Sequence, residues 1–169
     1  DRLEVTHDVV RLRFGLPESA QPLRLSTTAC ILCRGAAGSG LESAVRPYTP
    51  VSSNAELGTF TLLVKVYSQG VMSKHLGALA VGSTIECTHT EHNVKRQYPF
   101  GVPHVAMIAG GSGITPMSQA LHALLGNASD QTHVTLLYSN KLQSDIIAAE
   151  ALQRWKTISA RKDRHHVVH

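Results

Sequence analysis

Arg46, Tyr48 and Thr49 fall together in RPYTPVSS, positions 46–53. Pro47 and Pro50 fix their own φ and push Arg46 and Thr49 out of the helical region, so the segment must run extended. Neither proline has an N–H, which confines the segment to an edge, an end or a bulge of a sheet. Side chains two apart on an extended chain point the same way, so the Arg46 guanidinium and the Tyr48 ring share a face. That face offers paired charge-assisted hydrogen bonds to a phosphate, a flat surface to a flat ring, and the small Thr49 hydroxyl beside both. A proline-rich edge strand with a solvated arginine accounts for the same residues.

A second segment, GGSGITP at 110–116, directly follows the apolar run HVAMIA at 104–109, which suits a buried parallel strand. Beyond it Ile114, Met117, Leu121, Leu124 and Leu125 make one apolar stripe at helical spacing. Thr115 reads as an N-cap and Pro116 as the first helical residue, where a missing N–H costs nothing. Strand, glycine turn and helix together let a backbone approach a nucleotide and aim a positive helix end at it. The pattern is not the strict dinucleotide fingerprint, since the third glycine position counted from Gly111 is Pro116, and alone a tight βα turn explains it.

In order, RPYTPVSS, LLVKVY at 62–67, GVMS at 70–73, VAMIAGGSGITPM at 105–117 and LLYSN at 136–140 resemble the NADH-cytochrome b5 reductases over nearly the whole chain. The resemblance implies a ferredoxin-reductase-like fold, mixed β and α/β. A six-stranded antiparallel flavin-binding β-barrel would occupy 1–101, and the start of a parallel α/β nucleotide-binding domain 102–169. It also implies FAD as cofactor, NADH as co-substrate and a haem-protein acceptor such as cytochrome b5. Within the motif that Pro47 shares, Arg46 would hold the FAD pyrophosphate, Tyr48 would lie against the isoalloxazine and Thr49 would hydrogen-bond near the reactive flavin nitrogen. Lys65 and Tyr67 match a K-x-Y, the Tyr toward FAD and the Lys toward the nicotinamide approach. Gly70, Val71, Met72 and Ser73 match a glycine-to-helix turn at the pyrophosphate. Gly110, Gly111, Gly113 and Thr115 would face the flavin and the incoming nicotinamide. Thr49 and Lys65 are the catalytic candidates, and no side chain need act as general acid or base. A reductase component for an iron–sulfur or oxygenase acceptor, or a flavin-binding scaffold without turnover, remain the alternative readings.

Several positions depart from the family pattern. Val71 stands where relatives usually carry Lys, which removes a phosphate-neutralising charge and implies reduced FAD affinity, with Lys74 one helical step away. STTACILC replaces a G-Q-H type strand, and ECTHTEHNV replaces an R-G-P-x-G type turn. The chain begins with Asp1 and ends in basic RKDRHHVVH as a third strand would begin. A truncated nucleotide domain is therefore expected, without the C-G-P-P-x-M-like segment or the acidic residue that selects NADH, and with poor affinity for NADH.

The elements that position these residues follow from pattern. Residues 4–16, 27–33, the RPYTP strand and 59–67 are β-like, with Phe60, Leu62, Val64 and Val66 alternating against Thr61, Leu63, Lys65 and Tyr67. GAAGSG at 35–40 is a hairpin loop, a short helix runs over 73–79, and STIEC at 83–87 returns as a strand. Residues 91–103 form the domain junction. Strands at 104–109 and 133–139 flank a helix at 114–125 as in a right-handed βαβ unit, and another helix runs through Trp155.

With 169 residues and 43% hydrophobic content the chain has room for one domain and part of a second. No apolar run approaches a membrane span, and a cytoplasmic protein is expected, held at a membrane face only through a segment not in this chain. A net charge of +4 suits an acidic partner, but 12 acidic residues interleave with 16 basic ones and scattered solvated charge accounts for it equally, while 5% aromatic content without basic clustering argues against nucleic acid. Cys30, Cys33 and Cys87 are too few for a disulfide framework. The C-x-x-C spacing of Cys30 and Cys33 puts them on opposite faces of a β-like run. Ten histidines include His89 with His92, and His165, His166 and His169, but no second ligand pair at finger spacing accompanies them, so no metal site is expected.

Overall fold

Alternation and turn chemistry divide the chain into nine strands and three helices among the described residues. The computed structural model describes residues 1–35, 40, 43–90, 97–160 and 165–168, the last four and residue 160 by backbone alone. The interior of the GAAGSG loop, residues 91–96 of the expected junction, and His92 and His169 lie outside the described residues.

The β-like stretch 4–16 is not one strand but a hairpin of β1 (Arg2–Thr6) and β2 (Val9–Gly15). The Thr6 hydroxyl donates to the Asp8 carboxylate at 3.1 Å and accepts from the Asp8 N–H at 3.4 Å, closing the turn that splits it. β3 (Ile31–Arg34) starts later than the 27–33 expectation, because Thr28 adopts φ 67°, where an extended strand cannot continue. The RPYTP segment supplies β4 (Arg46–Tyr48), the edge strand its prolines demand. β5 (Thr59–Lys65) alternates as expected, with Phe60, Leu62 and Val64 buried. α1 (Val71–Gly77) begins two residues earlier than the 73–79 expectation, straight after Gly70, and β6 (Glu86–His89) follows.

These six strands make two three-stranded antiparallel sheets, β1-β2-β5 and β4-β3-β6. Between them Val10, Leu12, Ile31, Phe60, Leu62 and Val64 form one core, closed at an end by Met72 and Leu76 of α1.

The second half is a parallel sheet of β7 (His104–Gly110), β8 (His133–Ser139) and β9 (His165–Val168), in that order. The third strand, expected only to begin where the chain stops, is thus already paired. α2 (Ile114–Gly126) and α3 (Ala149–Ala160) complete the layer, α3 running past Trp155. Ile114, Leu121, Leu124 and Leu125 of the expected stripe are buried and Met117 packs at their margin. The other sheet face leaves the register partners Ile108 and Leu137 exposed. Val9 belongs to this second core, and Val10 to the first.

Candidate functional site

The edge strand β4 and the residue after it place Arg46, Pro47, Tyr48 and Thr49 on the lining of a cavity of about 730 Å³. Ser112, Gly113, Thr115 and Pro116 line the same cavity, so the two signature segments border one space. Lys65 at the end of β5, Tyr67 just beyond it, and Gly70, Met72 and Ser73 at the entry to α1 complete the lining. Of the expected site residues only Gly110 and Gly111 lie elsewhere. They line a second cavity of about 560 Å³ with His7, Asp8, Ser139, Asn140 and Asp145. Lys65, Tyr67 and Ser112 line both cavities.

Arg46 is exposed and commits one guanidinium N–H to the Val45 carbonyl at 2.7 Å, leaving most of its donor fork for a ligand. Tyr48 is half-buried, and that burial, reinforced by nearby Cys33 and opposed by Arg46, pushes its phenol up to about 12. The ring is therefore neutral across the physiological range. Lys65 forms a 2.7 Å ion pair with Asp8 across the β2–β5 pairing. The bond to Asp8 raises the Lys65 value. Burial opposes the Asp8 charge, but hydrogen bonds from Lys65 and Thr6 outweigh it and hold the carboxyl below its ordinary value. His7 lies 3.7 Å from Asp8 and 3.9 Å from Asp145.

Local backbone fixes the remaining walls. The Tyr67 N–H donates to the Ser73 hydroxyl at 3.2 Å, and a Cβ on Gly70 would displace that hydroxyl and its hydrogen bond, so glycine keeps the turn into α1 as it is. Gly111 takes φ 49°, and its carbonyl accepts from the buried Tyr138 hydroxyl at 2.9 Å. The N-cap expectation for Thr115 is corrected: Gly111–Gly113 form a 3-10 turn that runs into α2 with Gly113 as N-cap. Thr115 lies inside the first turn, its hydroxyl donating to the Ser112 carbonyl at 3.2 Å. Pro116 also sits in that turn, where an N–H has no helical partner. Ser112 and Tyr67 pair through their hydroxyls at 3.2 Å, a link across the two halves.

Residues 1–95 match the family model of the oxidoreductase FAD-binding domain, and residues 107–169 that of the oxidoreductase NAD-binding domain. The chain belongs to the FAD-binding oxidoreductases. It is 39% identical over 152 residues to NADH--cytochrome b5 reductase 1 of Arabidopsis thaliana, covering 90% of this chain and 53% of that protein. It is 40% identical over 162 residues to NADH-cytochrome b5 reductase 1 of Scheffersomyces stipitis, covering 92% of this chain and 54% of that one. The chain therefore spans about half the length of these curated relatives. The solved cytochrome b5 reductase domain of Ulva prolifera nitrate reductase superposes with a TM-score of 0.82 at 32% identity, covering 99% of this chain and 69% of that one. No helix among the described residues is long and apolar enough to cross a membrane.

The donor set suits the family's flavin dinucleotide: a guanidinium with most of its donors left for phosphate, a neutral aromatic plate, and a glycine turn that leaves backbone uncovered. Val71, 53% exposed, is on the cavity lining at the start of α1, and Lys74 is not, so the cations on that lining are Arg46 and Lys65. Sequence reasoning missed Thr28, Cys30, Gln69 and Ser112, which also line the cavity, and missed Asp8 as the partner of Lys65. The adjacent His7-Asp8 in a strand-breaking turn was the only local signal for the last.

Proposed function

We propose that the chain is the flavin-binding part, with the start of the nucleotide-binding part, of an oxidoreductase that passes electrons from NADH through FAD to a haem protein such as cytochrome b5. The observation that carries this reading is the meeting of two cavities at Lys65, Tyr67 and Ser112. Two ligands lodged one in each cavity would come together at those three residues. On this reading the two antiparallel sheets act as one six-stranded flavin barrel over 1–101, and 102–169 open the nucleotide domain.

Bound FAD would supply the redox chemistry, accepting a hydride and releasing electrons one at a time. Arg46 neutralises the pyrophosphate, and the Gly70, Met72 and Ser73 turn lets backbone approach it. Tyr48 and Tyr67 offer aromatic faces, with Pro47 holding the strand extended between Arg46 and Tyr48. Thr49 supplies a hydroxyl beside the ring. Lys65, held by Asp8, orients the incoming nicotinamide at the mouth that Gly110, Gly111, Gly113 and Thr115 leave open. Thr49 and Lys65 thus act by contact and position, not by proton transfer. The net charge of +4 suits an acidic haem-protein surface. Such a protein works in the cytoplasm, including at the cytosolic face of the endoplasmic reticulum or the mitochondrial outer membrane.

Val71 favours a second reading, a flavin-binding scaffold without turnover. Protein purified with FAD should show a flavin spectrum that bleaches with NADH, slowly and at high nucleotide concentration given the poor NADH affinity expected of this chain, and not with NADPH. A bound flavin that neither nucleotide bleaches supports the scaffold, and no bound flavin overturns both readings. Bleaching without reduction of a haem protein, but with reduction of an iron–sulfur protein, would move the acceptor to that class.

A further inference from the structure

Cys33 and Cys87 are used by none of the chemistry above. The antiparallel pairing of β3 with β6 sets them directly opposite one another, and their sulfurs are 3.3 Å apart. The next rung holds this register through the ion pair of Arg34 with Glu86. Opposed residues in antiparallel strands have Cα atoms about 4.5–5.5 Å apart, within the span a disulfide takes. Cys30, the partner that C-x-x-C spacing suggests, lies on the cavity wall, while Cys33 is fully buried in the core between the sheets.

We propose that Cys33 and Cys87 form a reversible dithiol–disulfide pair, a redox modification site that ties β6 to the strand supporting Arg46 and Tyr48. Cys87 is exposed, and a hydrogen bond from Cys33 holds its thiol below the ordinary value, while that same bond and burial push Cys33 far up. Cys87 is therefore the attacking thiolate and Cys33 the resolving thiol. The oxidant is a low-molecular-weight disulfide such as glutathione disulfide. Cys87 gives its proton to solvent and its sulfur bonds to one sulfur of that disulfide, and the departing thiolate takes the Cys33 proton. The Cys33 sulfur then displaces the second small thiolate, which is protonated from solvent. Two protein thiols become one disulfide, and one small disulfide becomes two thiols. The step is independent of flavin binding.

The reduced chain, treated with glutathione disulfide, alkylated and examined by mass spectrometry with peptide mapping, tests this. Of its three cysteines, one should remain alkylatable and map to Cys30, with the mass otherwise lower by two hydrogens. Dithiothreitol should restore all three. Cys30→Ser should form the same bond, and Cys87→Ser, at an exposed position, should form no intramolecular bond. A Cys30–Cys33 link, a glutathione adduct left standing on Cys87, three unreacted thiols, or a bond that dithiothreitol does not reverse would each overturn the assignment.

Discussion

The Thr28 N–H donates to the Gln119 side-chain oxygen at 2.7 Å, joining a loop before β3 to the middle of α2. The Gln119 amide nitrogen donates in turn to the Pro50 carbonyl at 2.6 Å. One side chain in the nucleotide half thus holds both a cavity-lining residue in a left-handed conformation and the end of the RPYTP segment. Gln119→Ala should cost about 1–3 kcal/mol of stability by leaving these groups unsatisfied, and should also weaken FAD binding. Urea unfolding and a flavin titration check both; no change in either would show the bridge to be idle.

Arg46→Ala should weaken FAD binding by about 1.5–3 kcal/mol, roughly 10- to 150-fold, through lost charge-assisted bonds. Because Arg46 is exposed, the melting temperature of the flavin-free protein should stay put. Calorimetric titration with FAD decides, and wild-type affinity in the variant would remove the phosphate role.

Tyr48→Ala and Tyr48→Phe should both relieve quenching of flavin fluorescence, since the oxidisable phenol is the electron donor, while Tyr48→Phe, which keeps an aromatic face, should hold FAD more tightly than Tyr48→Ala. With a phenol value of about 12, wild-type quenching should not change as pH rises toward 10. A large stability loss in flavin-free Tyr48→Ala, with no change in flavin signal, would make the ring a core residue instead.

The Lys65–Asp8 pair should give stability a pH dependence with two limits. The lowered Asp8 value means its contribution is present above the ordinary carboxylate pKa of about 3.9 and lost as pH falls through the still lower folded value. The raised Lys65 value means its contribution is complete below about 10.4 and lost as pH rises through the higher folded value. Asp8→Asn should cost about 0.2–1 kcal/mol near neutrality, as for a largely solvent-screened pair. It should also flatten the acid limb of the denaturation profile. An acid limb identical to wild type would place that dependence on other carboxylates.

Much of the architecture was legible wherever a rule is local. Pro47 and Pro50 forced an edge strand, alternation placed β5, and an apolar run followed by glycines placed β7 and α2. The misses were positions settled by distant partners. Nothing near residues 27–30 signals that Thr28 breaks the extended backbone, because its partner Gln119 lies 91 residues away. Lys65 reads as a ligand contact, and its hold on Asp8 appears only once β2 and β5 pair. The spacing of Cys30 and Cys33 set them on opposite faces, but that Cys33 faces Cys87 appears only once β3 and β6 pair. The Thr115 cap failed because the preceding glycines, free of side chains, continued the helix backward as a tight turn.

Val9 and Val10 are adjacent in sequence and point into different cores. A strand alternates its faces, so β2 is a wall common to both halves, and neither half can lose it alone. Melting of one core would strip about 1.5–3 kcal/mol of valine burial from the other at this wall alone. Calorimetry should accordingly record a single cooperative transition, its van't Hoff and calorimetric enthalpies equal, where separate cores would melt in two steps.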